Sequence, residues 1–228
     1  MRGVRFMLEY AKAEESLREA GIRSTIVVFG SARTKQGSKH YEAARAFGKL
    51  ASTRGGSLIK AGGLHDNVIA TGGGPGIMEA ANRGAAEAGA LSIGFNIRLP
   101  HEQFPNEYST PDLTFQFHYF AMRKMHLAMR ANGLVVFPGG FGTLDELFEL
   151  LTLRQTGKIA SLPVVLFDHH YWTRVINFDV LQEEGMIEKA DLGLFSFAET
   201  AEEIWSHLIA GGLQTQHQAK KRYGSKGS

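Results

Sequence analysis

Two glycine-rich segments of the chain have the composition of loops that bind anions. One is residues 71–76 (TGGGPG) and the other is residues 138–143 (PGGFGT), and each precedes a helical pattern. Because glycine carries no side chain, backbone N–H groups in such loops can approach an anion closely, and the dipole of the following helix favours negative charge there. Either loop alone is also compatible with a tight turn. Two such loops in one sheet favour a ligand that carries phosphate.

The spacing within these loops argues against two common nucleotide-binding classes. A dinucleotide-binding fingerprint needs GxGxxG, but the sixth position counted from Gly72 is Ile77. Neither loop ends in the Gly-Lys-Ser/Thr of a P-loop. Dinucleotide oxidoreductases and Walker-type NTPases therefore lack their main sequence support.

A carboxylate follows the second loop, and its spacing has two interpretations. Thr143 and Glu146 form a Thr-x-x-Glu pattern before apolar positions, which is typical of a capping box in which the glutamate reaches back to a backbone N–H. Alternatively, Glu146 lies in the first helical turn beside the anion loop, within reach of whatever the phosphate carries. Spacing alone favours the cap. Asp145 is expected on another side of the helix.

The adjacent residues Arg123 and Lys124 lie near the start of a helical pattern whose segment, residues 120–131, contains no acid. They form either a solvated basic face or a pair of cations directed into a cleft. No metal site is expected, because the chain has no cysteine and its histidines lack companions at ligand spacing. Four of the 25 basic residues lie in residues 214–228, which contain no acid. Without them there is no basic excess to indicate nucleic-acid binding.

The elements that would position these residues alternate along the chain. Apolar runs predict strands at 25–29, 91–97, 134–137 and 163–167, with a weaker one at 67–70 and a further run at 192–197. Helical patterns cover 4–20, 38–54, 75–89, 120–131, 143–156, 171–183 and 201–209. This alternation predicts an α/β fold: a doubly wound, mostly parallel sheet with helices on both faces.

We expect a single domain over residues 1–213 and a disordered basic tail over 214–228. In such sheets ligands bind at the carboxyl ends of the strands. The loops at 30–37, 71–76 and 138–143 are therefore expected to meet there. The sequence shows neither an 18-residue apolar run nor a leader pattern, so we expect a soluble, cytoplasmic protein with no membrane partner.

Five motifs together resemble the LOG (Lonely Guy) family, many of whose members carry the label "possible lysine decarboxylase". They are FGSAR (29–33), TGGGPGIMEA (71–80), LPHEQ (99–103), YF with RK (119–124) and PGGFGTLDE (138–146). The longer forms resemble the family's larger, second type. The resemblance implies a Rossmann-like fold. It also implies a phosphoribohydrolase that cleaves purine or cytokinin nucleoside 5′-monophosphates to free base and ribose 5-phosphate.

The resemblance also implies roles for individual residues. Arg123 and Glu146 match the catalytic pair. The nucleotide and phosphate positions fall on Ser31, Gly73, Gly74, Lys124, Gly139, Gly140, Gly142 and Thr143. It implies no metal or organic cofactor, and a homodimer or higher assembly with the cleft at its two-fold interface. The alternative is a nucleotide-binding or molybdenum-cofactor-carrier-like protein without turnover on the same fold.

Overall fold

Seven parallel strands form one sheet at the centre of the computed structural model, which describes residues 1–58, 63–98, 104–159 and 162–215. In chain order they are β1 (Thr25–Phe29), β2 (Val68–Thr71), β3 (Ser92–Ile97), β4 (Thr114–Phe117), β5 (Ala131–Val136), β6 (Val164–Phe167) and β7 (Ser196–Ala198). Their order across the sheet is β4-β3-β2-β1-β5-β6-β7. The LPHEQ motif and the tail from residue 216 onward lie outside the described residues.

Helices cover both faces of this sheet. They are α1 (Arg2–Glu19), α2 (Lys39–Arg54), α3 (Ile77–Glu87), α4 (Phe120–Met129), α5 (Phe141–Gln155), α6 (His169–Val175), α7 (Phe178–Glu183) and α8 (Ala201–Ala210), with 3₁₀ turns at Pro111–Leu113 and Lys189–Leu194. Buried residues of α2, α3 and α8 form one core layer, and those of α1, α4, α5 and α6 form the other. The predicted doubly wound α/β fold is confirmed. Among the described residues, no helix has the length and apolar character needed to cross a bilayer.

Apart from shifts of up to three residues at their ends, the predicted elements agree with the structure except in three places. The helix predicted over 171–183 is two helices, because Asn177 caps a new helix by accepting from the Val180 N–H. The run at 192–197 becomes a strand only at Ser196, after a 3₁₀ turn. The edge strand β4 was missed. Its four residues are too few to show a period, and only one of its edges is paired within the described sheet.

The crevice of the fold opens between β1 and β5. The chain proceeds from β1 to β2 on one side, whereas α4 returns it to β5 on the other side. Connections therefore leave the carboxyl ends of β1 and β5 in opposite directions, which is where open α/β sheets bind ligands. The loops after these strands are joined by a hydrogen bond from the Ser31 N–H to the Pro138 carbonyl, 3.0 Å long.

Close packing between α2 and α3 fixes one wall of this crevice, because α3 begins directly after the TGGGPG loop. The two helices approach through glycine. A Cβ atom on Gly84 would lie 2.0 Å from the Arg45 carbonyl oxygen, and one on Gly48 would lie 2.3 Å from the Ala81 carbonyl oxygen. No side chain fits at either position without separating the helices.

We expect Gly84→Ala to destabilise the protein by about 1–3 kcal/mol, the cost of overpacking a tight contact. Guanidinium denaturation measures this change. Gly3→Ala in α1 is the matched control, because a Cβ atom there meets nothing within 4 Å and alanine favours a helix by at most about 1 kcal/mol. Equal stability of the two variants would contradict the close approach of α2 and α3.

Candidate active site

A cavity of about 570 Å³ lies at the crevice, where the three predicted loops meet. Gly30, Gly72 and Gly139 each contribute to its wall, so the expectation that the loops converge is confirmed. The polar and charged side chains that line the cavity are those of Ser31, Arg33, Arg123, Thr143, Glu146 and Tyr171. Met78, Phe141, Leu144 and Val175 provide apolar surface. The cavity thus combines one carboxylate, two guanidinium groups and an apolar wall.

A buried ion pair lies at the base of the cavity. Glu146 of α5 is 4% exposed, and its Oε1 accepts a hydrogen bond from Nη2 of Arg123, which projects from α4. Burial raises the pKa of Glu146, and the charges of Arg123 and Lys124 oppose that rise only in part. Nε of Arg123 is buried and has no partner among the described residues. The pair therefore places a carboxylate of raised pKa in the cavity wall, beside a guanidinium whose Nε–H is buried.

The capping-box interpretation of Glu146 is wrong. Helix α5 begins at Phe141 with Gly140 as its N-cap, which makes Thr143 the third helical residue. Glu146 is the sixth, too far along the helix to reach back to the N-cap N–H, and its carboxylate contacts Arg123 instead. The sequence pattern misleads because a glycine N-cap starts the helix earlier than the threonine suggests.

The start of α5 is lined by backbone N–H groups that point out of the first helical turn. Within residues 1–58, 63–98, 104–159 and 162–215, no acceptor bonds the N–H of Gly140, Phe141, Gly142 or Thr143. Gly139 packs tightly there, since a Cβ atom on it would lie 2.1 Å from Oγ1 of Thr143. Unbonded N–H groups together with the positive end of a 15-residue helix make an anion-binding surface.

Lys124 does not line the cavity. Its Nζ lies 2.8 Å from Asp145 and 2.9 Å from Glu149 on the outer side of α5. Burial lowers the pKa of Lys124, but hydrogen bonds with these two carboxylates outweigh that effect and raise it. Of the two alternatives for the basic pair, Arg123 is directed into the cleft and Lys124 belongs to a helix-surface network.

Gly73 and Gly74 follow Gly72 in the chain but are not among the described residues that line the cavity. Gly73 has φ +70° and packs against Asn96, where a Cβ atom would lie 2.2 Å from the side-chain nitrogen. The Gly74 carbonyl accepts a 3.1 Å hydrogen bond from Asn106. These contacts hold the loop in place, so the role of the two glycines within the described structure is in the loop conformation.

Two polar cavity residues were missed by the sequence analysis. Arg33 is the last residue of FGSAR and lies in the loop after β1, one of the three loops that line the cavity. This position in the sequence is the feature that indicates it as a site residue. Tyr171 was assigned only to a predicted helix, although it follows the carboxyl end of β6. Its hydroxyl donates a 2.6 Å hydrogen bond to the Gly139 carbonyl.

Curated relatives of similar sequence support the resemblance. "Cytokinin riboside 5′-monophosphate phosphoribohydrolase LOG3" of Arabidopsis thaliana is 28% identical over 199 residues, which is 85% of each protein. "Cytokinin riboside 5′-monophosphate phosphoribohydrolase LOG" of Oryza sativa subsp. japonica is 29% identical over 191 residues, covering 82% of this chain and 73% of that protein.

Solved structures share the fold. The "molybdenum cofactor binding protein from the phototrophic bacterium Rippkaea orientalis" superposes with a TM-score of 0.54 at 20% identity, over 82% of this chain and 96% of that one. A structural-genomics target, TM1055, gives a TM-score of 0.57 at 20% identity over 82% and 98% of the two chains. At this identity the likeness concerns the fold alone.

The family model described as "Possible lysine decarboxylase" matches residues 78–208, more than half of the chain. The matched segment runs from α3 to α8 and includes both members of the buried ion pair. The chain therefore belongs to this family, the LOG family that the sequence motifs indicate.

Proposed function

We propose that the protein is a phosphoribohydrolase. In this proposal it hydrolyses the N-glycosidic bond of purine or cytokinin nucleoside 5′-monophosphates, AMP or N6-prenyl-AMP, to free base and ribose 5-phosphate. The observation that carries the proposal is the buried Arg123–Glu146 pair in one cavity with the unbonded N–H groups of α5. The names of the curated relatives support the reaction class.

The start of α5 suits the 5′-phosphate. Its N–H groups and the hydroxyls of Ser31 and Thr143 supply donors around one end of the cavity. Arg33 also lines the cavity and forms no ion pair within the described residues, whereas Arg123 is already paired with Glu146. Arg33 therefore takes the place that the resemblance gave to Lys124, as the cation available to a phosphate dianion.

Glu146 suits the reaction at C1′. Breaking the glycosidic bond builds positive charge on the ribose, as in glycoside hydrolysis. A carboxylate beside C1′ stabilises this charge and accepts a proton from the attacking water. The water oxygen bonds to C1′, the C1′–N bond breaks, and its electron pair leaves with the base, which gains a proton. Arg123 orients Glu146 through the hydrogen bond from its Nη2 to Oε1 of the carboxylate.

The lysine decarboxylase label of the family does not fit the cavity. That chemistry uses a lysine that forms a Schiff base with pyridoxal phosphate. No lysine is among the described residues of the cavity wall, so we derive no step through that cofactor.

A nucleotide or molybdenum-cofactor carrier without turnover is the second candidate, because the structure from R. orientalis shares the fold. The position of Glu146 favours an enzyme. A protein that only binds an anion gains nothing from a buried carboxylate in the same cavity, since the carboxylate repels the anion and is costly to desolvate. A positive charge that develops during a reaction makes the same carboxylate useful.

Our proposal includes a homodimer. Helices α4 and α5 carry exposed apolar side chains: Met125 and Met129 line one surface hollow, and Phe148 lines a second hollow that shares Lys124 and Glu149 with the first. Phe141, at the start of α5, is also exposed. Apolar surface of this kind is suited to contact with a second copy of the chain.

We expect AMP or N6-prenyl-AMP to be hydrolysed with a kcat/KM at least about 10²-fold above that of adenosine, because charged hydrogen bonds to phosphate are lost with the nucleoside. Chromatography of free base and of ribose 5-phosphate measures both reactions. GMP and CMP serve as tests of base preference. Equal rates on nucleotide and nucleoside would contradict the phosphate assignment.

Glu146→Gln separates catalysis from structure. Glutamine keeps the size of the side chain and still accepts a hydrogen bond from Arg123, but it cannot take a proton or carry charge. We expect kcat to fall at least about 10²-fold, while calorimetry shows retained AMP binding. Glu149→Gln is the matched control on the outer side of α5 and is expected to keep wild-type kcat. A Glu146→Gln variant as active as wild type would make Glu146 structural.

Arg123→Met is expected to destabilise the protein by about 3–5 kcal/mol at neutral pH, because it leaves Glu146 buried and unpaired. The pKa of Glu146 is already raised above its ordinary value of 4.5 and rises further in this variant. The folded state then binds a proton that the unfolded state has released, so stability recovers as the pH is lowered through the raised pKa and is lost as the pH increases.

Urea titrations between pH 5 and 8 measure this dependence. Arg54→Met is the matched control, expected to cost no more than about 1 kcal/mol, because the carboxylate that it leaves, on Glu202, is open to water and lies outside the cavity wall. Adding Glu146→Gln to Arg123→Met removes the carboxylate and is expected to abolish the extra pH dependence. If that dependence persists in the double variant, it does not come from Glu146.

A further inference from the structure

A hydrogen bond from α6 reaches the loop that precedes α5. The hydroxyl of Tyr171 donates to the Gly139 carbonyl at 2.6 Å, while the side chain of Tyr171 also lines the cavity. The proposed bond-breaking step does not use this tyrosine. Its partner is the peptide group that directly precedes the N-cap of α5, Gly140.

The direction of that peptide group matters to an anion. In a planar trans peptide the C=O and the following N–H point in opposite directions. A carbonyl turned towards Tyr171 therefore holds the Gly140 N–H on the other side. Because residues 139 and 140 are both glycine, their own backbone preferences do little to restrict rotation of this peptide. A carbonyl that rotated towards the phosphate would repel it.

Tyr171 is itself held by an unusual residue. Asp168 has φ +73°, in the left-handed region that few residues with a side chain adopt. Its Oδ1 accepts from the Tyr171 N–H at 2.9 Å, and its Oδ2 lies 2.8 Å from Nε2 of His40 on α2. Its own N–H donates to the Ala198 carbonyl of β7 at 2.9 Å. Backbone strain of this kind persists where neighbouring contacts enforce it, and it clusters at functional sites.

The carboxylate of Asp168 stays ionised in this position. Burial raises the pKa of Asp168, but hydrogen bonds from His40 and from the Tyr171 N–H outweigh that effect and lower it. Contacts from α2, α6 and β7 thus converge on one residue at the carboxyl edge of the sheet. They fix the start of α6 and, through Tyr171, the carbonyl of Gly139.

We propose that Asp168 and Tyr171 are positioning residues that hold the Gly139 carbonyl away from the cavity, so that the N–H groups at the start of α5 face the 5′-phosphate of the ligand. The proposal rests on the proposed function for the identity of that ligand. The two residues act through the loop and take no part in bond breaking. Their loss therefore weakens ground state and transition state alike and raises KM with little change in kcat.

Tyr171→Phe tests this with the loss of one oxygen atom. We expect the Kd and KM of AMP to rise about 3- to 10-fold, the worth of one neutral hydrogen bond, with kcat changed less than KM. The kcat/KM of adenosine, which lacks the phosphate, stays unchanged. Tyr108→Phe is the matched control, because Tyr108 is not among the residues described as lining the cavity, and it is expected to change none of these values.

Two variants of Asp168 separate positioning from stability. Asparagine tolerates the left-handed region and retains an oxygen for the Tyr171 N–H, so Asp168→Asn is expected to keep AMP affinity close to that of wild type. Asp168→Ala loses both properties and is expected to weaken AMP binding at least as much as Tyr171→Phe. Thermal unfolding of each variant is measured alongside AMP binding.

The outcomes distinguish this inference from the proposed function. Wild-type protein that binds neither AMP nor N6-prenyl-AMP would overturn the proposed function and this inference with it. Wild-type protein that binds AMP, together with a Tyr171→Phe variant that binds it equally well, would overturn the inference alone. A Tyr171→Phe variant that loses activity on AMP and adenosine by the same factor would also overturn it, since the effect would not act through the phosphate.

Discussion

The parallel pairing of β1 with β5 is the contact on which the site depends. It places Phe29 opposite Val136, so the two strands end at the same level and their loops face each other across the crevice. Helix α4 enters β5 and helix α5 leaves it. Arg123 and Glu146, 23 residues apart, therefore meet because they flank the same strand. The helix–strand–helix unit α4–β5–α5 thus brings two residues that are distant in the sequence into a buried ion pair.

Helix α5 carries both parts of the proposed site, the N–H groups that would bind the phosphate and the carboxylate of Glu146. Its first N–H groups have no hydrogen-bond acceptor within the described chain. Glu146 lies three residues beyond Thr143, about 4.5 Å along the helix axis. A rigid helix thus fixes the distance between an anion-binding end and a buried carboxylate. Contacts with the phosphate then hold C1′ of the sugar beside the carboxylate. Enzymes commonly use the binding energy of such remote contacts to orient the reacting atoms.

Much of this arrangement could be predicted from the sequence, since buried parallel strands appear as apolar runs and glycine loops mark the carboxyl edge. The residue at which α5 begins, and the side of α4 that faces the cavity, could not be predicted. Arg123 and Lys124 are adjacent, and only the packing of α4 on α5 shows that the first enters the cavity. The Thr-x-x-Glu pattern is a local signal, and the glycine N-cap of α5 overrides it. Tyr171 and Gly139 are 32 residues apart, and no local pattern connects them.

Helix α1, which precedes the first strand, holds helix α4 in position. The start of α4 has no side-chain cap of its own, but Glu9 of α1 accepts from the N–H groups of His118 and Tyr119 at 3.2 and 3.4 Å. At the other end of α4, Glu14 of α1 pairs with Arg130 at 2.6 Å. Both ends of the helix that carries Arg123 are thus held by α1. The geometry of the ion pair depends on an element that contributes nothing to the described cavity wall.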